Sequence, residues 1–156
     1  MNTPVKSPKP PAKSPRRRAR EFALQGLYQW RLGSNDRTAI EKHLAEMEGY
    51  AKADGEFCLA LVRGVMANHE ELAGLFASHL DRRFDELSPI EGCVLLLGAF
   101  ELTRYPETPY RVIINESIEL TKSFGGSDGH KYVNGVLDKL AATVRATEVE
   151  ARRKKE

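Results

Sequence analysis

Arg16, Arg17, Arg18 and Arg20 crowd into one short stretch, and Gln25, Tyr28, Gln29 and Trp30 follow them. Guanidinium groups hold phosphates, while aromatic rings and amides stack on unpaired bases and hydrogen-bond their edges, so this mixture has the chemistry of single-stranded RNA contact. A second group, Asp128-Gly129-His130-Lys131-Tyr132, opens a helical stretch, where free backbone N–H groups and the positive end of the helix dipole favour a phosphate. Tyr28 and Tyr132 are each open to two readings, a base-stacking ring or an aromatic folded onto the core. Phe22 and Trp30 read as core.

Other chemistries find less support. His43, His69, His79, His130, Cys58 and Cys93 contain no CxxC, no HxxxH and no other close ligand pair, which argues against a zinc site. Cys58 and Cys93 fall on apolar helical faces, where a free cysteine behaves as a small hydrophobe. Gly125-Gly126 lies between two helices and lacks the Lys-Ser/Thr sequel of a phosphate loop. Glu116 and Glu119 share a face and Glu91 and Glu101 sit on the most apolar stretch, but solvated faces and capping account for them better than acid–base catalysis. Neither an enzyme nor a cofactor is expected.

Helices must position these groups. Ser14-Pro15 supplies a cap and a first helical residue, and Phe22, Gly26, Leu27 and Trp30 recur at helical spacing up to Gly33. That leaves the arginines on exposed first turns. A covering helix is expected over 38–48. Phe57, Leu61, Val65, His69, Leu72 and Phe76 carry a stripe to about His79. Ser88-Pro89-Ile90-Glu91 has the form of a capping box, and the helix it opens is apolar nearly all round through Leu102, which belongs at the centre of a bundle. Thr108-Pro109 repeats the cap-plus-proline start, and Gly125-Gly126 suits a left-handed exit. Ser127 or Asp128 then caps a helix carrying Val133, Leu137, Leu140 and Val144. With no period-two stretch, the fold class is all-α, with six or seven helices. Residues 1–14 read as a disordered Lys/Pro-rich arm, 15–147 as the helical domain and 148–156 as a charged, frayed tail.

Composition agrees with a single globular domain: 156 residues, 41% hydrophobic, mean hydropathy -0.46 and two cysteines. Such a chain needs neither disulfides nor metal for its core. Its longest apolar run is too short to span a membrane, and no secretory leader follows the basic start, so a cytoplasmic location is expected. The net charge of +2 conceals a division. Lys6, Lys9, Lys13 and the four arginines give residues 1–20 seven positive charges and no acid, whereas the remainder is net -5. A basic arm suits a polyanion or merely solubilises, and an acidic body suits a basic protein.

Four motifs in order resemble the NusB family of transcription antitermination factors. They are Arg16 to Glu21 with Ala23, Gln25, Leu27-Tyr28 and Trp30; Ser88-Pro89-Ile90-Glu91 with its Leu-rich helix; Pro109-Tyr110-Arg111-Val112-Ile113-Ile114-Asn115-Glu116; and Lys122-Ser123-Phe124-Gly125 through Asp128 to Lys139. The likeness covers about residues 16–140. It implies two small helical subdomains that bind boxA RNA of ribosomal RNA operons together with NusE, a ribosomal small-subunit protein. The assembly joins RNA polymerase and other Nus factors and helps the polymerase read through terminators.

By the same resemblance Arg16, Arg17, Arg18, Arg20, Gln25 and Tyr28 contact RNA with Lys131 and Tyr132. Asp128 borders that surface and moderates affinity. The partner surface lies around Arg82, Asp85, Glu86 and Glu91, and a homodimer of the free protein is left open. The Lys/Pro extension, Gly129 where the family often has serine, and the basic end after Glu150 depart from the pattern. Two alternatives stand beside this reading. One is a protein-interaction module with a nonspecific basic tail. The other is enzymatic, because a similar helical domain is fused to ribosomal RNA cytosine methyltransferases, but no glycine-rich cofactor loop or strand–helix alternation supports it here.

Overall fold

The computed structural model describes residues 13–33, 35–126 and 128–155; expectations for the arm at 1–12, for Ser34 and for Ser127 lie outside them. Among the described residues seven α-helices and three single 3-10 turns occur and no strand. None of the helices is long and apolar enough to cross a membrane.

Helix α1 spans Pro15–Leu32, and its cap is the expected one: the Ser14 hydroxyl accepts from the Arg17 amide at 3.0 Å. Helix α2, Arg37–Ala45, starts on Asp36, whose carboxylate accepts from the Ala39 amide at 2.8 Å. Helix α3, Gly55–Phe76, bends at Asn68, whose side-chain amide donates to the Gly64 carbonyl one turn back at 2.8 Å. Helix α4, Pro89–Arg104, is buried without interruption from Gly92 to Leu102 and packs on α1 and α3, and on α5 (Tyr110–Phe124) and α6 (Gly129–Val144). The expected subdomains therefore share one continuous core through α4.

Three local expectations are corrected. Thr108 does not cap α5: its carbonyl is taken by Arg145, and the Tyr110 amide donates to Glu148 Oε2 at 2.8 Å, from 38 residues away. Gly125 is extended, at φ -105° and ψ -171°, and not left-handed; glycine fits there because a Cβ would stand 2.8 Å from the Thr121 carbonyl oxygen. Lastly, the region expected to fray is a docked helix, α7, at Ala146–Lys155. Buried Arg145 just before it donates to the carbonyls of Leu102, Tyr105 and Thr108 at 2.7, 2.8 and 3.0 Å, and Val149 is buried beneath it. These acceptors are the end of α4 and the α4–α5 turn, whose carbonyls have no helical partner of their own.

Candidate nucleic-acid interface

The four arginines at the start of α1 divide by the turn of the helix. Arg16 is exposed and lies over the Phe57 ring, 3.9 Å from its centroid. Arg17, 41% exposed, makes a two-pronged bond to Glu116 of α5 at 3.0 and 2.9 Å. That bond and charge raise its already high pKa. Arg18 is half-buried. Arg20 is only 5% exposed and pairs through two 2.8 Å bonds with Glu101 inside the bundle. Burial opposes its charge, but the hydrogen bonds and the charge of Glu101 outweigh that and raise its pKa.

The exposed position expected for Arg20 is thus corrected. It faces the core because it lies one position past Ala19 on the buried side of α1. Glu101, expected on a solvated face or in a cap, is its acceptor. A carboxylate within the apolar run from Val94 to Leu102 is the signal for a buried cation, since an unpaired charge there costs several kcal/mol.

Further along α1 the Gln25 side chain turns back, donating from Nε2 to the Glu21 carbonyl at 3.2 Å. Tyr28 is 37% exposed, whereas Phe22 is buried and Trp30 is half-buried with its ring edge-on to His69. Tyr28 and Gln25 border a largely apolar groove of about 360 Å³, between α1 and α2, to which Leu24, Leu44, Ile90 and Phe124 also contribute. The groove links α1 to the beginning of α4 and the end of α5.

On the far side of that link lies the start of α6. Asp128 occupies the cap position but makes no side-chain cap bond; it stands 3.9 Å from Lys131, both side chains being exposed. Glu91 faces this helix start closely enough that a Cβ on Gly129 would lie 2.6 Å from its Oε1. The positive end expected to welcome a phosphate therefore already faces a carboxylate of the chain itself. Glu91 Oε2 accepts from the Ser88 hydroxyl at 2.8 Å, so its carboxylate bonds the capping side chain and not the Ser88 amide of a full capping box.

Tyr132 is folded onto the bundle: half-buried against the core, its hydroxyl accepts from the Asp81 amide at 3.2 Å, and Arg82 covers its ring at 5.2 Å. Burial pushes its phenol up. Arg82 is held by Asp81 at 2.8 Å, while Arg83 holds Asp85 and Glu86 at 3.2 and 3.0 Å. Hence Arg82 and Glu91, expected on a partner surface, adjoin Tyr132 and Gly129 of the expected RNA surface, and the two form one continuous face.

Among the described residues no group of three or more His, Cys, Asp or Glu is placed to hold a metal. Cys58 and Cys93 are fully buried, and burial pushes their thiols up to about 11 and about 12, so neither supplies a thiolate near neutral pH.

Residues 17–142 match the NusB family. The transcription antitermination protein NusB of Dechloromonas aromatica (strain RCB) is 62% identical over 145 residues, covering 93% of this chain and 89% of that one. Its counterpart from Ralstonia nicotianae (strain ATCC BAA-1114 / GMI1000) is 55% identical over 152 residues, covering 97% of each. Among solved structures, NusB of T. maritima superposes with a TM-score of 0.73 at 30% identity, over 85% of this chain and 94% of that one. The antitermination factors NusB and NusE in complex with double-stranded RNA provide a second likeness, with a TM-score of 0.70 at 25% identity, over 80% of this chain and 93% of the matched one.

Proposed function

The chain belongs to the NusB family, which is not a family of enzymes, and from that premise we propose that it is a transcription antitermination factor. It binds the boxA RNA of ribosomal RNA operons as a single strand, together with NusE, within an RNA polymerase elongation complex that contains other Nus factors. Its place of action is the cytoplasm. The observation that carries this reading is the face running from Arg17 along α1 to exposed Tyr28 and its groove, which Ile90 and Phe124 link to the start of α6 with Lys131 and Tyr132. From Arg17 to Tyr28 that face is about 16 Å long at the rise of an α-helix.

Each residue contributes a distinct interaction. Arg16 and Arg18 meet phosphates directly, and Arg17 does so by exchanging its Glu116 carboxylate for a phosphate. Tyr28 and Tyr132 offer rings, and Lys131 adds charge beside Asp128, which tempers it. Arg20 acts only by holding α1 to α4. NusE, a basic protein, meets Asp85, Glu86 and Glu91 beside Arg82, next to the RNA. Self-association of the free chain through this same face would have to be undone before RNA binds.

The test is fluorescence anisotropy of a short boxA-like RNA titrated with the protein, with and without NusE, at two salt concentrations. Scrambled and double-stranded competitors accompany it. NusE sharpening the binding, with the scrambled strand and the duplex rejected, supports the reading. Equal binding of all RNAs with no effect of NusE replaces it by an interaction module with a nonspecific tail. Arg17→Ala combined with Tyr132→Ala weakens boxA binding by at least about 2 kcal/mol, as expected when one phosphate and one stacked base are released; an unchanged isotherm sinks the site.

A further inference from the structure

Helix α7 is a platform with no assigned task. Arg145 and Glu148 fasten its first turn to the α4–α5 turn and to the amide that opens α5, and Val149 seals it below. Its remaining length carries Arg152, Arg153, Lys154 and Lys155. Arg152 and Arg153 share a cleft of about 330 Å³ with Arg111 of α5, and Arg152 and Lys155 line a neighbouring one of about 260 Å³. The acids in these clefts are Asp138, 2.9 Å from Arg111, and Glu148, engaged by Arg145 and by the Tyr110 amide. Arg111, Arg152, Arg153 and Lys155 thus line the clefts beside two carboxylates, of which Asp138 is held by Arg111 itself and Glu148 by groups at the start of the helix.

We propose that α7 and the start of α5 form a second phosphate-binding surface, which takes the RNA backbone flanking the segment held by α1 and α6. This rests on the RNA-binding reading above. Continuity supports it: Arg16 lies on Phe57, Phe57 meets the edge of Tyr105 at 5.4 Å, and the Tyr105 carbonyl accepts from Arg145 at 2.8 Å. The first turns of α1 and α7 are therefore joined through one aromatic pair, at one end of the molecule. The acidic residues around 81–91 adjoin the other end of α6, which has 16 residues and a length of about 24 Å.

An RNA strand suits the clefts better than an acidic protein does. The large hydrophobic side chains lining them, Tyr110 and Val149, are buried, so a protein partner finds no exposed apolar anchor there. A chain of phosphates needs none, because its affinity comes from counterion release. The clefts are open troughs with several cations in a row, which fits a polyanion and not a lone ion.

The experiment compares the wild type with the triple variant Arg152→Gln, Arg153→Gln, Lys155→Gln. All three side chains are exposed and glutamine keeps the helix propensity, so the circular dichroism spectrum and thermal midpoint should not change. Anisotropy is followed over a salt series with a minimal boxA-like RNA and with the same RNA extended at both ends. The wild type is expected to bind the extended RNA more tightly and with a steeper salt dependence. In the variant that gain disappears, the log–log slope becomes shallower by about 0.7 for each phosphate the protein no longer neutralises, and the minimal RNA binds as before.

If the wild type ignores the extension, or the variant weakens both RNAs equally, the surface is overturned. Unchanged binding of both RNAs to the variant also overturns it and leaves α7 to an acidic protein. Should the wild type fail to prefer boxA over a scrambled sequence while the extension still binds through α7, the boxA reading fails and this surface stands. Charge reversal by Arg153→Glu with Lys155→Glu should turn the gain from extension into a loss.

Discussion

Arg17 and Arg20 lie three positions apart, carry the same charge and both hold a carboxylate by two bonds, yet they do opposite work. Water reaches the first pair and not the second. Arg17 and Glu116 form a partly exposed bridge, a kind of pair that contributes about 0–1 kcal/mol, so Arg17 can change partners at little cost. Arg20 cannot, since leaving Glu101 would strand a charge in the core. Arg20→Ala is therefore expected to destabilise the fold by about 3–5 kcal/mol, the usual consequence of orphaning a buried charge, and Arg17→Ala by less than about 1 kcal/mol. Urea denaturation of the two variants checks this, and similar losses in both would contradict the division. Sequence alone grouped the arginines because their types and crowding are alike. Their assignment depended on which side of α1 meets α4, and Glu101 within Val94 to Leu102 was the only residue to hint at it.

Helix starts were the most legible elements. Ser14-Pro15 and Ser88-Pro89 open α1 and α4 as expected, because a capping side chain and a proline act within one turn and need nothing from the rest of the fold. Thr108-Pro109 has the same form and misleads, since Arg145 draws the Thr108 carbonyl while Glu148 caps α5 from a distant helix. For the same reason α7 was hidden: one buried valine and two polar side chains dock it, and they leave no apolar stripe to read. Glu148→Ala removes the cap of α5 and a partner of Arg145 together. Losing a cap alone costs about 0.5–2 kcal/mol, so the variant should unfold at lower urea and exchange the Tyr110 amide faster. A normal midpoint with a protected Tyr110 amide would rule out the long-range cap.

Seen whole, the molecule keeps its two buried thiols neutral. The Cys58 and Cys93 thiols, pushed up to about 11 and about 12 by burial, stay neutral in the folded state, whereas in the unfolded chain they ionise near their ordinary value of 9.0. Between those values the unfolded state holds fewer protons. The thiols' contribution is accordingly complete below about pH 9 and is lost as pH climbs toward 11 and 12, by about 1.4 kcal/mol per pH unit for each thiol. Burial of Tyr50, Tyr105 and Tyr132 acts in the same direction. Denaturation midpoints at pH 8 and pH 10 should differ accordingly, with the difference reduced in Cys58→Ala and Cys93→Ala; equal midpoints in the wild type would exclude the effect.

The ion pair between Arg20 and Glu101 also bears on biosynthesis. A chain emerging from the ribosome N-terminus first presents α1 long before α4, because 81 residues separate the two partners. Throughout that interval Arg20 has no reason to turn inward, and the first turns of α1 hold one more cation facing solvent. A nascent chain is thus more basic at its leading helix than the finished protein, and completing α4 is the event that withdraws that charge.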